Sequence, residues 1–182
     1  MGTIKATNIE PIADNGTVTL GSSGDIFTLG SGTKASFLYP AFEAISDSNQ
    51  TVTDNTYTKV SLQTELLDTN NNFDNSSNYR FTPTVAGKYY IEGQVRGSAD
   101  GNDRLRNVYA AIYKNGSFYK ESRINFHGAD ITLSVIQVSA IVDMNGSSDY
   151  VELYGAVDTT TGTVFFNEGT KSTYFLGYRI GS

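Results

Sequence analysis

The chain has no cysteine and no tryptophan, and only three prolines, two methionines and one histidine among its 182 residues. Without cysteine, neither a disulfide framework nor a thiolate metal site can form, so stability must come from a packed core and from assembly. Alanine, leucine and glutamate are too sparse for a helical protein, and no stretch carries a convincing helical period. Positive charge is scarce as well: 13 Lys and Arg stand against 19 Asp and Glu, giving a net charge of -6. A surface that tracks nucleic-acid phosphates needs clustered basic residues. The nearest approach is Arg104 and Arg106, which share an expected turn with Asp100 and Asp103. No apolar run reaches membrane-spanning length. The opening MGTIKATNIEP lacks the cationic and apolar regions of a signal peptide, and Ala6 stands where myristoylation needs Ser or Thr. The expectation is a protein that starts in a cytoplasm and neither binds nucleic acid nor inserts into a membrane.

What is present is β chemistry. Tyr and Phe make up the 12% aromatic content, β-branched residues are frequent, and there are 18 glycines. Five Asn-X-Ser/Thr sequons, at Asn15, Asn49, Asn75, Asn115 and Asn145, read as tight-turn chemistry. KYYIEGQVR (Lys88 to Arg96) alternates, with Tyr89, Ile91, Gly93 and Val95 on one face. Val108 to Tyr113 runs into the hairpin signal Lys114-Asn115-Gly116-Ser117, and Phe118 to Phe126 returns as its partner. Leu133 to Met144 ends at Asn145-Gly146, with Tyr150 to Val157 as its answering strand, and Tyr174 to Ile180 closes the pattern. Ala41 to Ile45, Tyr57 to Leu62, Glu65 to Leu67 and Tyr79 to Pro83 are shorter candidates. About ten short strands with regular turn signals predict an all-β sandwich or barrel.

The run from Leu133 is apolar on both faces. Ile136, Val138, Ala140 and Val142 form one; Leu133, Val135, Gln137, Ser139 and Ile141 form the other. An ordinary sandwich strand shows water a polar face, so a cover for the second face is expected, most simply a neighbouring subunit.

Five pieces, in order, resemble the globular head of complement component C-one-q and the wider tumour-necrosis-factor-like superfamily. They are Ala41-Phe42-Glu43-Ala44, Arg80-Phe81-Thr82, Gly87-Lys88-Tyr89, Ala111-Ile112-Tyr113-Lys114-Asn115-Gly116 and Phe175-Leu176-Gly177-Tyr178. The resemblance implies a ten-stranded antiparallel jelly-roll sandwich over residues 36–182 that assembles as a homotrimer. Carried over strand by strand, it places Tyr90, Glu92, Gln94, Val135, Gln137, Ser139, Ile141, Phe175 and Arg179 at the threefold axis. Leu176 and Tyr178 are left for the core. Polar side chains there predict hydrogen-bonded rings or trapped water rather than a dry seam.

No collagen-like Gly-X-Y triplets precede this head. Residues 1–35 instead carry a short repeat, in which Thr19-Leu20-Gly21-Ser22 returns nine residues later as Thr28-Leu29-Gly30-Ser31. Such a unit cannot bury its apolar positions alone. Three copies can, through Val18, Leu20, Ile26 or Phe27, and Leu29; the other reading is a Gly/Ser linker. Ile4, Ile9 and Ile12 would then anchor the chain to a virion partner. A β stem before a jelly-roll knob is similar to the fibre and head-decoration proteins of tailed bacteriophages, which also need no cysteine.

Catalytic patterns are missing. His127 stands beside Gly128 without a nucleophile elbow or an ordered relay. No carboxylate spacing identifies a glycosidase pair, and no Gly-rich phosphate loop opens a helix. Calcium is a weak expectation at three Asx-rich turns: Asp68 to Asp74, Asp100-Gly101-Asn102-Asp103 and Asp143-Met144-Asn145. No other cofactor is expected. Val164-Phe165-Phe166, within the connection Asp158 to Lys171, reads as an edge strand covered by a neighbour or as an exposed patch. The resulting expectation is a non-enzymatic virion protein, a decoration or head fibre held by its N-terminus. The competing readings are a tail-fibre tip and a secreted glycan-binding adhesin, with Tyr109, Tyr119 and Phe126 as sugar-facing aromatics. A depolymerase-type enzyme is the remaining class.

Overall fold

The chain divides into two units, Met1–Leu38 and Tyr39–Ser182. The computed structural model describes residues 40–100, 105–126 and 131–181, all in the second unit. The expected stem and anchor positions (Ile4, Ile9, Ile12, Val18, Leu20, Leu29) lie outside the described residues, as do Arg104 and His127.

Thirteen strands and no helix occur among the described residues. They are β1 Ala41–Ile45, β2 Gln50–Val52, β3 Thr58–Lys59, β4 Thr64–Asp68, β5 Phe73–Asp74, β6 Arg80–Phe81, β7 Gly87–Ala99, β8 Leu105–Lys114, β9 Ser117–Asn125, β10 Leu133–Met144, β11 Val151–Thr159, β12 Val164–Phe166 and β13 Tyr174–Gly181. All pairings are antiparallel, in two sheets. In the first, β7 takes β10 along one edge and β13 and β12 along the other; β1 and β4 extend beyond β13, and β2 beyond β12. The second runs β5-β6-β11-β8-β9, with β3 also on β11. The core between them holds Tyr89, Ile91 and Val95 of β7, Val138 and Val142 of β10, Val108 and Ile112 of β8, and Leu153 and Val157 of β11. These are the inward phases that period-two alternation requires.

The β8–β9 hairpin forms as its sequence directs. Asn115 and Gly116 both have positive φ, 52° and 73°, the pair a tight right-twisted hairpin needs. The second expected hairpin does not form. Leu133–Met144 pairs with β7 and Val151–Thr159 pairs with β8, so the chain changes sheets at Asn145-Gly146. There Asn145 Oδ1 accepts the amides of Ser147, Ser148 and Asp149 at 2.9, 2.9 and 3.0 Å, turning the chain with side-chain bonds instead of a ladder. Other sequon amides are similarly engaged: Asn75 Nδ2 donates to the Gln63 carbonyl and Asn115 Nδ2 to Asp149.

Two short strands go beyond the sequence reading, β2 and β5, while β12 forms at Val164–Phe166, where an edge strand was one of the two expectations. Val164 and Phe166 are fully buried, and β12 is flanked by β7 and by β2 of the same chain. The expected cover from a neighbour is therefore supplied internally. Conversely, Tyr57 to Leu62 yields only the two-residue β3, although Val60 and Leu62 are buried as their alternation indicates.

Candidate functional site

The outward face of the first sheet is the strongest candidate. Antiparallel register fixes which side chains share it. Across β10, β7 and β13 the rows are Gln137, Gln94 and Tyr174; then Ser139, Glu92 and Leu176; then Ile141, Tyr90 and Tyr178. Val135 lies one row further along, opposite Arg96. Ile141 is 58% and Tyr178 47% exposed, and Val135, Leu67 and Ile180 are exposed as well. The rings of Tyr90 and Tyr178 lie 5.5 Å apart.

At the centre of this face is Glu92. Tyr90 donates to Glu92 Oε2 at 2.5 Å and Tyr174 to Oε1 at 2.9 Å, while Gln137 Nε2 donates to the Tyr174 hydroxyl at 3.1 Å. Partial burial pushes the Glu92 carboxyl up, but bonds from Tyr90, Tyr174 and Gln137 together outweigh it and hold it below the ordinary value. The same geometry, burial first and the Glu92 bond second, pushes the Tyr174 hydroxyl up to about 12. Gln94 Nε2 donates to the Ser172 carbonyl at 2.7 Å. The polar groups of the face are thus hydrogen-bonded within their own chain, and its apolar groups are the ones left without cover.

Seven of the nine residues assigned to this face lie on it; Phe175 and Arg179 do not. Phe175 is fully buried and packs edge-on against Phe42, with ring centroids 5.2 Å apart. The register sets it opposite Gly93 and sets Gly177 opposite Ile91, so the Phe/Gly phase of β13 fills the core and the Tyr/Leu phase faces out. The assignment of Leu176 and Tyr178 to the core is corrected accordingly. The readable signal was Gly177, because an inward glycine leaves room for a facing side chain. Arg179 lies at the end of the sandwich, its Nε donating to the Ala86 carbonyl at 3.0 Å. Sequence reasoning also passed over Leu66, Leu67 and Ile180, whose exposure comes from an edge strand and a β-bulge that periodicity does not reveal.

The first Asx-rich turn spends its carboxylates on nearby donors, while Gly101, Asn102 and Asp103 of the second lie outside the described residues. Asp68 accepts the amides of Asn70 and Phe73, at 3.2 and 2.7 Å. Asp74 accepts those of Ser76 and Ser77 and the side-chain amide of Asn78. Near the third turn, Lys114 Nζ lies 2.6 Å from the Asp143 carbonyl and 3.0 Å from Asp149, supplying the positive charge itself. Among the described residues no three or more His, Cys, Asp or Glu side chains are grouped to hold a metal. Of the proposed sugar-facing aromatics, Tyr109 lies on the outward face of the second sheet and Tyr119 at the β9 edge, while Phe126 packs partly against the core.

No family model matches the chain, and no curated protein matches it in sequence. Solved structures do match in shape, and they define an all-β jelly roll of the tumour-necrosis-factor type. Murine APRIL at pH 5.0 superposes with a TM-score of 0.56 at 8% identity, over 78% of this chain and 99% of that one. The Eiger TNF from S. frugiperda gives 0.56 at 9% identity, over 80% and 94%. The globular domain of zebrafish complement 1qA is more distant in shape, with a TM-score of 0.45 at 14% identity over 78% and 96%. At identities this low the likeness is one of fold.

Proposed function

We propose that this chain is a non-enzymatic structural protein of a bacteriophage virion, a homotrimeric knob held through its N-terminal residues as a decoration or head fibre. The observation that carries assembly is the uncovered first sheet, where Ile141, Val135, Tyr178 and Leu67 stand exposed around an internally satisfied Glu92. Its edge adds to the case. Among the described residues β10 pairs with β7 alone, and its twelve residues hold one charge, Asp143, and no proline. A long, apolar, unpaired strand edge invites association unless something covers it. Two sister copies would cover face and edge together, since a closed ring joins two different patches of each protomer. The number three comes from the resemblance to the complement-head and tumour-necrosis-factor-like proteins, whose fold this chain shares.

The virion role is supported by the short Thr-Leu-Gly-Ser repeat that precedes the jelly roll in the sequence and by a composition free of cysteine. Light scattering on the purified protein at low concentration should give three times the chain mass; a stable monomer would overturn the assembly. Deleting residues 1–16 should remove the protein from particles while leaving its mass in solution unchanged. Particles that retain the truncated protein would overturn the anchoring role.

A further inference from the structure

The second sheet carries an aromatic corner that the proposed assembly does not use. The β8–β9 register shifts by one residue between Ile112 and Tyr113, so Phe118 faces Tyr113 and Lys120 faces Ile112, with Tyr119 left over. Bulges of this kind re-aim side chains. Here the bulge sends the Tyr119 hydroxyl to the Ile141 carbonyl and brings Phe118 and Glu121 to successive outward positions. Phe118 is 55% exposed. Tyr113 and Tyr57 meet it edge-on, both at 79°, with centroids 5.9 and 6.4 Å away. Tyr57 is held upright by donating its hydroxyl to Glu121 Oε2. Tyr113 in turn stacks on Tyr154 at 4.0 Å. The result is an open ring face beside a fixed wall, with a carboxylate at the junction.

Charge around the corner is mixed: Arg123, opposite Tyr109, is exposed in the same outward phase as Glu121. Lys59 binds Glu152, and the Arg80 guanidinium lies 4.4 Å from the Tyr150 ring centre. With both signs of charge side by side and a net charge of -6, the corner does not favour polyanions. A broad protein contact would want a continuous apolar patch, whereas carboxylates and hydroxyls interrupt this one at each row. An uncharged ligand with one apolar face and a rim of hydroxyls matches both features. We propose that Phe118, Tyr57 and Glu121 form a binding site for neutral saccharides. The pyranose C–H face would lie on Phe118, and a ring hydroxyl would donate to Glu121, whose Oε1 has no hydrogen bond among those described. Burial and the Glu121 bond raise the Tyr57 pKa, so Tyr57 remains a donor throughout the neutral range.

The site is on the sheet opposite the proposed trimer contact, so the two readings fail separately. Saturation-transfer NMR with methyl glycosides of glucose, galactose, mannose and N-acetylglucosamine should show transfer to the ring protons of at least one. Phe118→Ala and Glu121→Gln should each weaken that binding about tenfold or more. Light scattering on the same samples reports assembly independently. No transfer to any of the four glycosides, or binding that survives Phe118→Ala, overturns the site.

Discussion

The Tyr119 hydroxyl donates a 3.0 Å hydrogen bond to the Ile141 carbonyl, tying the edge strand of one sheet to the edge strand of the other. That bond satisfies one carbonyl along an edge of β10 that no strand among the described residues pairs. Ile141 itself projects outward and is the most exposed large apolar side chain of the first sheet. The side wall of the sandwich is bridged by Tyr119 here and by Lys114 at the Asp143 carbonyl, while the adjoining face is left apolar. Both features are what the proposed cover by sister copies would bury.

Substituting Ile141 or Val135 with Asp tests that cover directly. Both side chains are exposed in the isolated protomer, so an acid there costs the fold little. In the trimer it would place like charges in a poorly solvated contact. The expected result is a monomer by light scattering with an unchanged circular dichroism spectrum. A variant that remains trimeric would place the contact elsewhere.

Phe175 behaves oppositely. Its ring is buried among Phe42 and the cleft above Gly93, so Phe175→Ala removes core packing and should cost about 3–5 kcal/mol in urea unfolding. Phe175→Asp should fail to fold rather than dissociate. Tyr178→Ala, its neighbour in the outward phase, should leave the protomer's unfolding midpoint nearly unchanged and weaken assembly instead. Equal loss of stability in both variants would contradict the assigned phase of β13.

How much of this was legible depends on what fixed each element. Alternation in Lys88–Arg96 and Leu133–Met144 identified the long strands, and in Lys88–Arg96 the inward face as well; the run from Leu133 is apolar on both sides, so its inward face came from the family resemblance. Alternation failed at Tyr174–Gly181, where both phases hold aromatic residues and Gly177 was the one local sign of the inward phase that the register against Gly93 and Ile91 displays. It failed again after Met144, since a local Asn-Gly signal does not say whether the next strand joins the same sheet or the other. The corner at Phe118 was not legible at all. It needs Tyr57, which the alternation of Tyr57 to Leu62 turns outward, but no local pattern says that this segment lies beside a strand far along the chain.

Two turn glycines should respond unequally to alanine. Gly116 has φ 73° but open space around it, with the Tyr150 hydroxyl 3.4 Å from a built Cβ, so Gly116→Ala should cost about 1 kcal/mol from backbone strain alone. Gly146 has φ 70° as well, but a Cβ there collides with the backbone at Val85 and Ala86. Because backbone cannot rotate away, Gly146→Ala should be markedly worse. Thermal melts of the two variants side by side check the order, and a reversed order would mean that the turn at Gly146 readily re-forms.

Acid should destabilise the fold, and the sign follows from the turn carboxylates. Amide bonds from Ser77, with Asn78 and Ser76, hold the Asp74 carboxyl well below the usual range. Bonds from Asn115 and Lys114 do the same for Asp149. A depressed folded pKa gives stability that is full above the unfolded value, about 4, and is lost as pH falls through the lower folded value. Glu65 runs the other way, since burial and its neighbours Asp68 and Asp74 raise its carboxyl, and it moderates the slope. Melting temperature should therefore fall steeply below about pH 4. In Asp74→Asn the neutral amide oxygen can still accept the turn amides but no longer titrates, so the acid slope should become shallower. An unchanged slope would show that the turn at Asp74 forms equally well around a protonated side chain.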